Sequence, residues 1–168
     1  KTISNWEAYE DELRGRLGSD NKIVRLMHSR AKLDPKRVVF AEADQLAVLK
    51  AAQIVYDEGI AEPILLGRKK AIKALMKEIE FDASVKIIDP KSDEEEPRKD
   101  AYAKVFWKQR KRRGITLLSA KKLMRERNYF AAMMVNQGHA DALISGYSRS
   151  YPTVVKPILE LIGLDKGV

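Results

Sequence analysis

The residues best placed for chemistry lie near the C-terminal end, in the run Asp141-Ala-Leu-Ile-Ser-Gly-Tyr-Ser-Arg-Ser150, which leads into a helix at about Pro152. Gly146 lets backbone approach a ligand closely. The hydroxyls of Ser145, Ser148 and Ser150 and the cation of Arg149 surround the start of the following helix. Free N–H groups and a partial positive charge there suit a phosphate or another anion. The plainer reading is a polar connection with an ordinary helix cap, and the segment alone leaves both open. A second cluster, Lys108-Gln-Arg-Lys-Arg-Arg113, admits three readings: nucleic-acid binding or nuclear targeting, a solvated helix end, or a cationic clamp for a polyanionic cofactor. Arginine forks suit the last of these better than lysine does. No aromatic residues interleave with the charges, which weighs against nucleic acid.

Other chemistries find no support. Cysteine is absent, so disulfides, thiolate nucleophiles and Cys-based metal sites are excluded together. His28 and His139 stand far apart with no metal-ligand spacing, so no metal site is expected. The chain contains no G-x-S-x-G, no G-x-G-x-x-G and no Walker P-loop. Met133-Met134 reads as core filling.

The elements that position these residues alternate. Strands are expected at Arg37–Ala41, Glu62–Leu66, Val85–Ile88 and Asp141–Ile144. Helices are expected over Gln45–Asp57, with Leu46, Leu49, Ile54 and Val55 inward, and over 68–78, with Ile72, Leu75 and Met76 on one face. Further helices follow over Arg98–Arg113, from Ser119 as N-cap to Glu126, over Tyr129–Gln137, and from about Pro152 to Leu161. The acidic run Asp93-Glu-Glu-Glu96 falls in the loop after the third strand. Residues 4–31 read as two helices broken at Gly18-Ser19, with Ser4 and Ser19 as N-caps, and Asp34-Pro35 marks a boundary. Strands separated by helices imply parallel pairing with right-handed crossovers, hence a three-layer α/β/α domain with an open, mainly parallel sheet. In such sheets ligands bind beyond the carboxyl ends of the strands, at a switch in strand order. Those ends are Glu42–Asp44, Gly67, Asp89 and Ser145–Ser150.

Composition agrees with this picture. The 168 residues are 45% hydrophobic and 33% charged, enough for a packed core. A net charge of +8 favours anionic ligands. No apolar run approaches the length of a membrane span and no secretory signal opens the chain, so a cytoplasmic setting without membrane contact is expected. The first residue is Lys1, which points to a piece of a longer polypeptide.

Taken in order and at their spacing, the segments RVVFAEADQLAVLKAA, EGIAEPILLGR, KRRGIT, YFAAMMVNQGHADALISG and VVKPILELIG resemble phosphotransacetylases, from Asp34 to about Gly163. The chain is more closely similar to the phosphotransacetylase-like C-terminal region of hybrid NAD(P)-dependent malic enzymes. Its Trp6-Glu-Ala-Tyr9 helix resembles the segment that links the two parts in those hybrids. The resemblance implies the first domain of a two-domain unit with CoA in the cleft between domains. Residues 1–33 would be a helical linker, 34–146 the α/β domain, and 147–168 the start of a second domain whose catalytic Ser-Arg-Asp region is missing. No residue of this chain is assigned a catalytic role.

Carried over residue by residue, the resemblance makes Arg110 a contact for CoA phosphates. It matches Ser145 and Gly146 to the family's Ser-Gly, and Ser150 to the first hydroxyl of its Ser-Thr/Ser pair. Four departures follow: Arg149 replaces a histidine, Tyr151 the second hydroxyl, Lys156 an arginine, and Ala47 another arginine. Arginine to lysine loses a bidentate fork, and arginine to alanine loses a charge. The resemblance therefore implies a CoA-binding set of Arg110, Ser145, Gly146, Arg149, Ser150 and Lys156. The ligand would be acetyl-CoA or CoA, with phosphate. The role would be regulation of malate oxidative decarboxylation to pyruvate, and the alternative is an active phosphate acetyltransferase. NADP and a divalent metal belong only to the missing malic enzyme part, and a homo-oligomer is expected of the full-length protein.

Overall fold

β-Branched residues recur in every strand of the sheet: Val38 and Val39, Ile64, Ile87 and Ile88, and Ile144. The computed structural model describes Trp6, Tyr9 and residues 22–164. The chain divides into two compact units, Lys1–Pro35 and Lys36–Val168. In the first, the Trp6 and Tyr9 rings meet edge-on at 6.0 Å, and helix α1 spans Lys22–Leu33. The expected caps at Ser4 and Ser19 and the break at Gly18 lie outside the described residues.

The second unit holds four parallel strands, β1 (Lys36–Phe40), β2 (Ala61–Leu66), β3 (Lys86–Ile88) and β4 (Ala142–Ile144), in the order β3-β2-β1-β4. Side chains alternate across a strand with period two, and the burial follows that rule. Val39, Ile64, Leu66 and Ile88 face a core completed by helices α4 (Glu96–Arg110), α5 (Leu117–Leu123), α6 (Arg127–Asn136) and α7 (Tyr151–Leu161). Phe40 and Leu65 face a second core, closed by α2 (Leu46–Asp57) and α3 (Lys69–Glu78) through Leu49, Ala52, Ile72 and Met76. The result is the expected three-layer α/β/α architecture.

Several local expectations need correction. Leu46 and Ile54 of α2 are exposed, because the buried stripe runs through Leu49 and Ala52 instead. The helix expected from Ser119 begins earlier. Thr116 is its N-cap, with Oγ1 accepting from the Ser119 amide at 3.1 Å, and Ser119 sits inside the first turn. The acidic run does not lie in an open loop. Asp93–Glu95 form a 3-10 turn that enters α4, where negative charge complements the helix N-terminus. Met133 and Met134 are fully buried on α6, as expected of core residues.

Two polar contacts pin the last elements onto the unit. At the amino end of the sheet, Arg37 Nη2 and Nε reach Asp141 Oδ1 and Oδ2 at 2.8 and 3.0 Å, tying β4 to β1. The Arg37 guanidinium and its backbone N–H hold the Asp141 carboxyl down at about 2. Residues 147–168, read from the resemblance as the start of another domain, contribute α7 to this one. Val154, Pro157 and Leu161 are buried, and Asn136 Nδ2 donates to the Leu161 carbonyl at 2.9 Å.

The core makes one stability prediction. Phe130 is wholly buried and its ring lies 5.3 Å from that of Tyr102. Phe130→Ala should cost about 3–5 kcal/mol by loss of transfer energy and creation of a cavity, read as a lowered denaturant midpoint. A loss below about 1 kcal/mol would mean that the core holding Phe130, on the Val39 and Ile64 face of the sheet, is not packed as described.

Candidate functional site

The sheet order fixes where a site belongs. From β1 the chain steps outward through β2 to β3 and then returns to place β4 on the other side of β1. The switch point lies between β1 and β4, and the loops at their carboxyl ends are Ala41–Gln45 and Ser145–Ser150.

One carboxylate fills that point. Glu42 lies two residues past the end of β1 and is only 1% exposed. Its Oε1 accepts from the Gly146 amide at 2.7 Å and the Tyr147 amide at 3.1 Å. Oε2 accepts from the Ser148 amide at 2.8 Å and from the Ser148 hydroxyl. Ser145 Oγ stands 3.2 Å from Oε1 and 2.8 Å from Asn128 Oδ1. Gly146 adopts φ +107°, a conformation disfavoured for residues with a Cβ, which lets successive amides converge on one anion. Burial pushes the Glu42 carboxyl upward, but the Ser148, Gly146 and Ser145 donors outweigh it and hold the group at about 2. The loop is an anion-binding nest, as its residues suggested, but the anion is the protein's own. The Gly146, Tyr147 and Ser148 amides are thus engaged by the Glu42 carboxylate.

Beside Glu42 a cavity of about 340 Å³ opens over the carboxyl ends of β1, β2 and β3. Arg127, at the start of α6, forms its fixed part. Nη1 and Nη2 grip Asp44 Oδ1 and Oδ2 at 2.7 and 3.0 Å, and Nη1 also reaches the Ala41 carbonyl at 3.3 Å. The guanidinium lowers the Asp44 carboxyl below its ordinary range, and the carboxylate raises Arg127 in return. Around this pair stand Arg68, Lys91, Arg125 and Arg149. Gly67 also lines the cavity, and a Cβ there would press within 3.2 Å of Ile72 Cδ1.

The six residues singled out in the sequence do not form one cluster. Ser145 and Gly146 bind Glu42, and Ser150 sits at the N-cap of α7 with its hydroxyl 2.8 Å from Thr153 Oγ1. Arg149 lines the cavity, and Lys156 is exposed on α7. Arg110 lies at the far end of α7, roughly 15 Å along the helix from Ser150 at 1.5 Å per residue. Its Nε donates to the Glu160 carbonyl at 2.9 Å and its Nη2 to the Leu159 carbonyl at 3.3 Å, covering carbonyls that the last helical turn leaves open. In the rest of that basic run, Lys111 sits 5.6 Å over the Trp107 ring, while Arg112 and Arg113 are exposed. Sequence reasoning placed Glu42 at a strand end where ligands bind but gave it no role, and it missed Arg68, Lys91, Arg125 and Arg127. The signal for Glu42 was a carboxylate set between alanines directly after a buried strand. The signal for Arg68 and Lys91 was their place just beyond the ends of β2 and β3, whereas Arg125 and Arg127 lie where α5 passes into α6 and carried no such signal.

Among the described residues, no group of three or more His, Cys, Asp or Glu side chains suits a metal ion, and no helix is long and apolar enough to cross a membrane. The arrangement is that of an α/β ligand-binding domain with its binding face at the carboxyl edge of a parallel sheet. Residues 22–168 match the family model described as "Phosphate acetyl/butaryl transferase", and the chain belongs to that family. It is 35% identical over 145 residues to the phosphate acetyltransferase of Thermoanaerobacterium thermosaccharolyticum, covering 86% of this chain and 43% of that protein. It is 33% identical over 173 residues to the NADP-dependent malic enzyme of Haemophilus influenzae, covering 100% of this chain and 22% of that protein. The fold superposes on the EutD phosphotransacetylase from Staphylococcus aureus with a TM-score of 0.75 and 28% identity, covering 86% of this chain and 43% of that one. The chain thus spans less than half the length of each of these relatives.

The Glu42 nest gives a pH-dependent prediction. A group whose folded value lies near 2, below its ordinary 4.5, adds stability above pH 4.5 that is lost as the pH falls toward 2. Glu42→Gln should lower stability at pH 7 by about 2–3 kcal/mol, the scale of a buried hydrogen bond to a charged group. It should also flatten the decline between about pH 5 and pH 2. Denaturant unfolding of both proteins at pH 7 and pH 3 tests this, and equal stability at both would contradict it.

Proposed function

We propose that this chain is the phosphotransacetylase-like region of a hybrid NAD(P)-dependent malic enzyme, and that it binds acetyl-CoA as a regulator of malate oxidation. The observation that carries the proposal is the extent of the matches. The malic enzymes of Haemophilus influenzae and Salmonella typhimurium align with 100% of the chain, the segment before Lys36 included. The phosphate acetyltransferase of Thermoanaerobacterium thermosaccharolyticum aligns with 86%.

The chemistry of the face supports the same reading. A wall built for binding needs cations and hydroxyls, and Arg149, Ser150 and Lys156 supply them along the loop and α7. A wall built for acyl transfer to phosphate would need groups that hold phosphate in line with a thioester. The nest at Ser145–Ser148 is already satisfied by Glu42, and the second hydroxyl and one arginine of the family's pattern are Tyr151 and Lys156 here. Binding without turnover is what a sensor requires. For control to result, acetyl-CoA must bind one state of the whole enzyme more tightly than another.

The test is malate-dependent NADP reduction by the polypeptide that joins this domain to a malic enzyme portion, with and without acetyl-CoA. The rate should fall when acetyl-CoA is added, and Lys156→Ala should raise the concentration needed by roughly 3–10-fold, as expected for loss of a charge-assisted phosphate contact. Formation of acetyl phosphate from acetyl-CoA and phosphate, with malate oxidation unaffected, would favour the phosphate acetyltransferase reading instead.

A further inference from the structure

The sheet ends at β3 with one side of its backbone unused. The strand order places β3 at an edge, with only β2 beside it. The register sets Leu65 against Ile87 and Leu66 against Ile88, and the Gly67 amide donates to the Ile88 carbonyl at 3.0 Å. In a parallel pair, alternate residues turn both backbone groups toward the same neighbour. Lys86 and Ile88 therefore face β2, and the Ile87 N–H and C=O point outward. A row of such groups is a template on which another strand can pair.

Beside this edge, between α3 and β3, lies a cavity of about 410 Å³. Its apolar lining is Met76, Phe81, Ala83, Val85 and Ile87, with Met76 and Phe81 themselves buried. A second cavity follows along the same border, lined by Lys69, Lys70 and Ala71 of α3 and by Asp89 and Ser92 beyond β3. Charge then selects among occupants. Lys73 and Lys77 line the first cavity, Lys70 lines the second, and Lys86 is exposed on β3 itself. None of these four lysines makes an ion pair among the described residues. The opposing carboxylates are Glu80 and Asp82, in the turn from α3 into β3. A second copy would bring a chain of net charge +8 to an edge already rich in lysine, and lysine on an edge strand discourages pairing with its own kind. An acidic extended segment meets the opposite charge there.

We propose that the border between α3 and β3 is a docking groove for an extended acidic peptide. The peptide pairs with Ile87 as a further strand, drops an aliphatic side chain into the cavity over Met76 and Phe81, and sets carboxylates against Lys70 and Lys73. Backbone pairing supplies the affinity, and the cavity with its lysines supplies the selection. Side chains alternate along a strand, so the aliphatic residue and the carboxylate that share the α3 face stand two positions apart. The groove lies beyond β2 from the switch between β1 and β4, so the inference is independent of the reading of the chain as an acetyl-CoA sensor.

The probes are two fluorescent peptides with capped ends, Ser-Thr-Leu-Thr-Glu-Thr-Glu-Ser and its reversed sequence, which offer the pattern to β3 in either strand direction. Fluorescence anisotropy against the full chain at low ionic strength should show saturable 1:1 binding of one of them. Lys73→Glu, or serine in place of the peptide's leucine, should weaken it about tenfold. Arg112→Glu, on the exposed 3-10 turn, should leave it unchanged. N-methylation of one alternate set of peptide amides should abolish binding while the other set is tolerated, the period-two signature of edge pairing. The Ile87 amide should gain protection from hydrogen exchange when the peptide is added. Unaltered thermal unfolding of the Lys73→Glu chain separates lost binding from lost fold. Absence of saturable binding by either peptide, or binding that Lys73→Glu and both N-methylated sets leave intact, would overturn the inference. Protection of the Ile87 amide that grows with protein concentration, without peptide, would assign the edge to a second copy and overturn it as well.

Discussion

A buried carboxylate holds the binding edge of this domain together. Removing a negative charge from water costs several kcal/mol unless donors replace the lost hydration. Glu42 recovers that cost from the Gly146, Tyr147 and Ser148 amides and from the Ser148 hydroxyl. The dependence runs both ways. Without the carboxylate, three converging backbone donors would repel one another. Without the positive φ of Gly146, they would not converge. The same contact joins the end of β1 to the loop after β4, so the outermost crossover of the sheet and the start of α7 are registered by one side chain.

The rest of the face inherits its geometry from that closure. Ser145 sits between Glu42 and Asn128, and Asn128 Nδ2 reaches the Thr153 carbonyl at 3.2 Å, so the first turn of α7 is tied to α6. Arg110 holds the other end of α7 through the Leu159 and Glu160 carbonyls, and Tyr129 Oη donates to Glu160 Oε2 at 2.7 Å. A helix pinned at both ends presents Tyr151 and Lys156 on a fixed surface. The cationic cavity lies alongside, so a domain whose nest is internally neutralised still carries an open positive face.

The architecture was legible because period-two alternation in the strands and Gly or Pro at the turns act locally. Val39 and Phe40 reveal opposite faces simply by being neighbours. Leu46 and Ile54 misled because they sit at helical spacing on α2 while the buried stripe is set by Leu49 and Ala52, and a stripe's direction depends on what packs against it. Ser119 and Thr116 are both good caps, and the choice turned on where α5 meets the core. The site was harder to read. The amide nest was visible in Ser145–Ser148, but its occupant lies more than one hundred residues earlier in the chain. Arg110 has the chemistry of a phosphate ligand and is used instead to cover helix carbonyls. Long-range pairings of this kind leave no local pattern.

Amide hydrogen exchange at the loop tests the closed nest most directly. Followed by NMR at neutral pH, the Gly146, Tyr147 and Ser148 amides should exchange far more slowly than those of an open surface loop, because each donates to a buried carboxylate. The protection should persist when phosphate is added, since Glu42 already fills the nest. Exchange of these three amides at the rate of an unstructured peptide, or protection that appears only with added anion, would contradict the account.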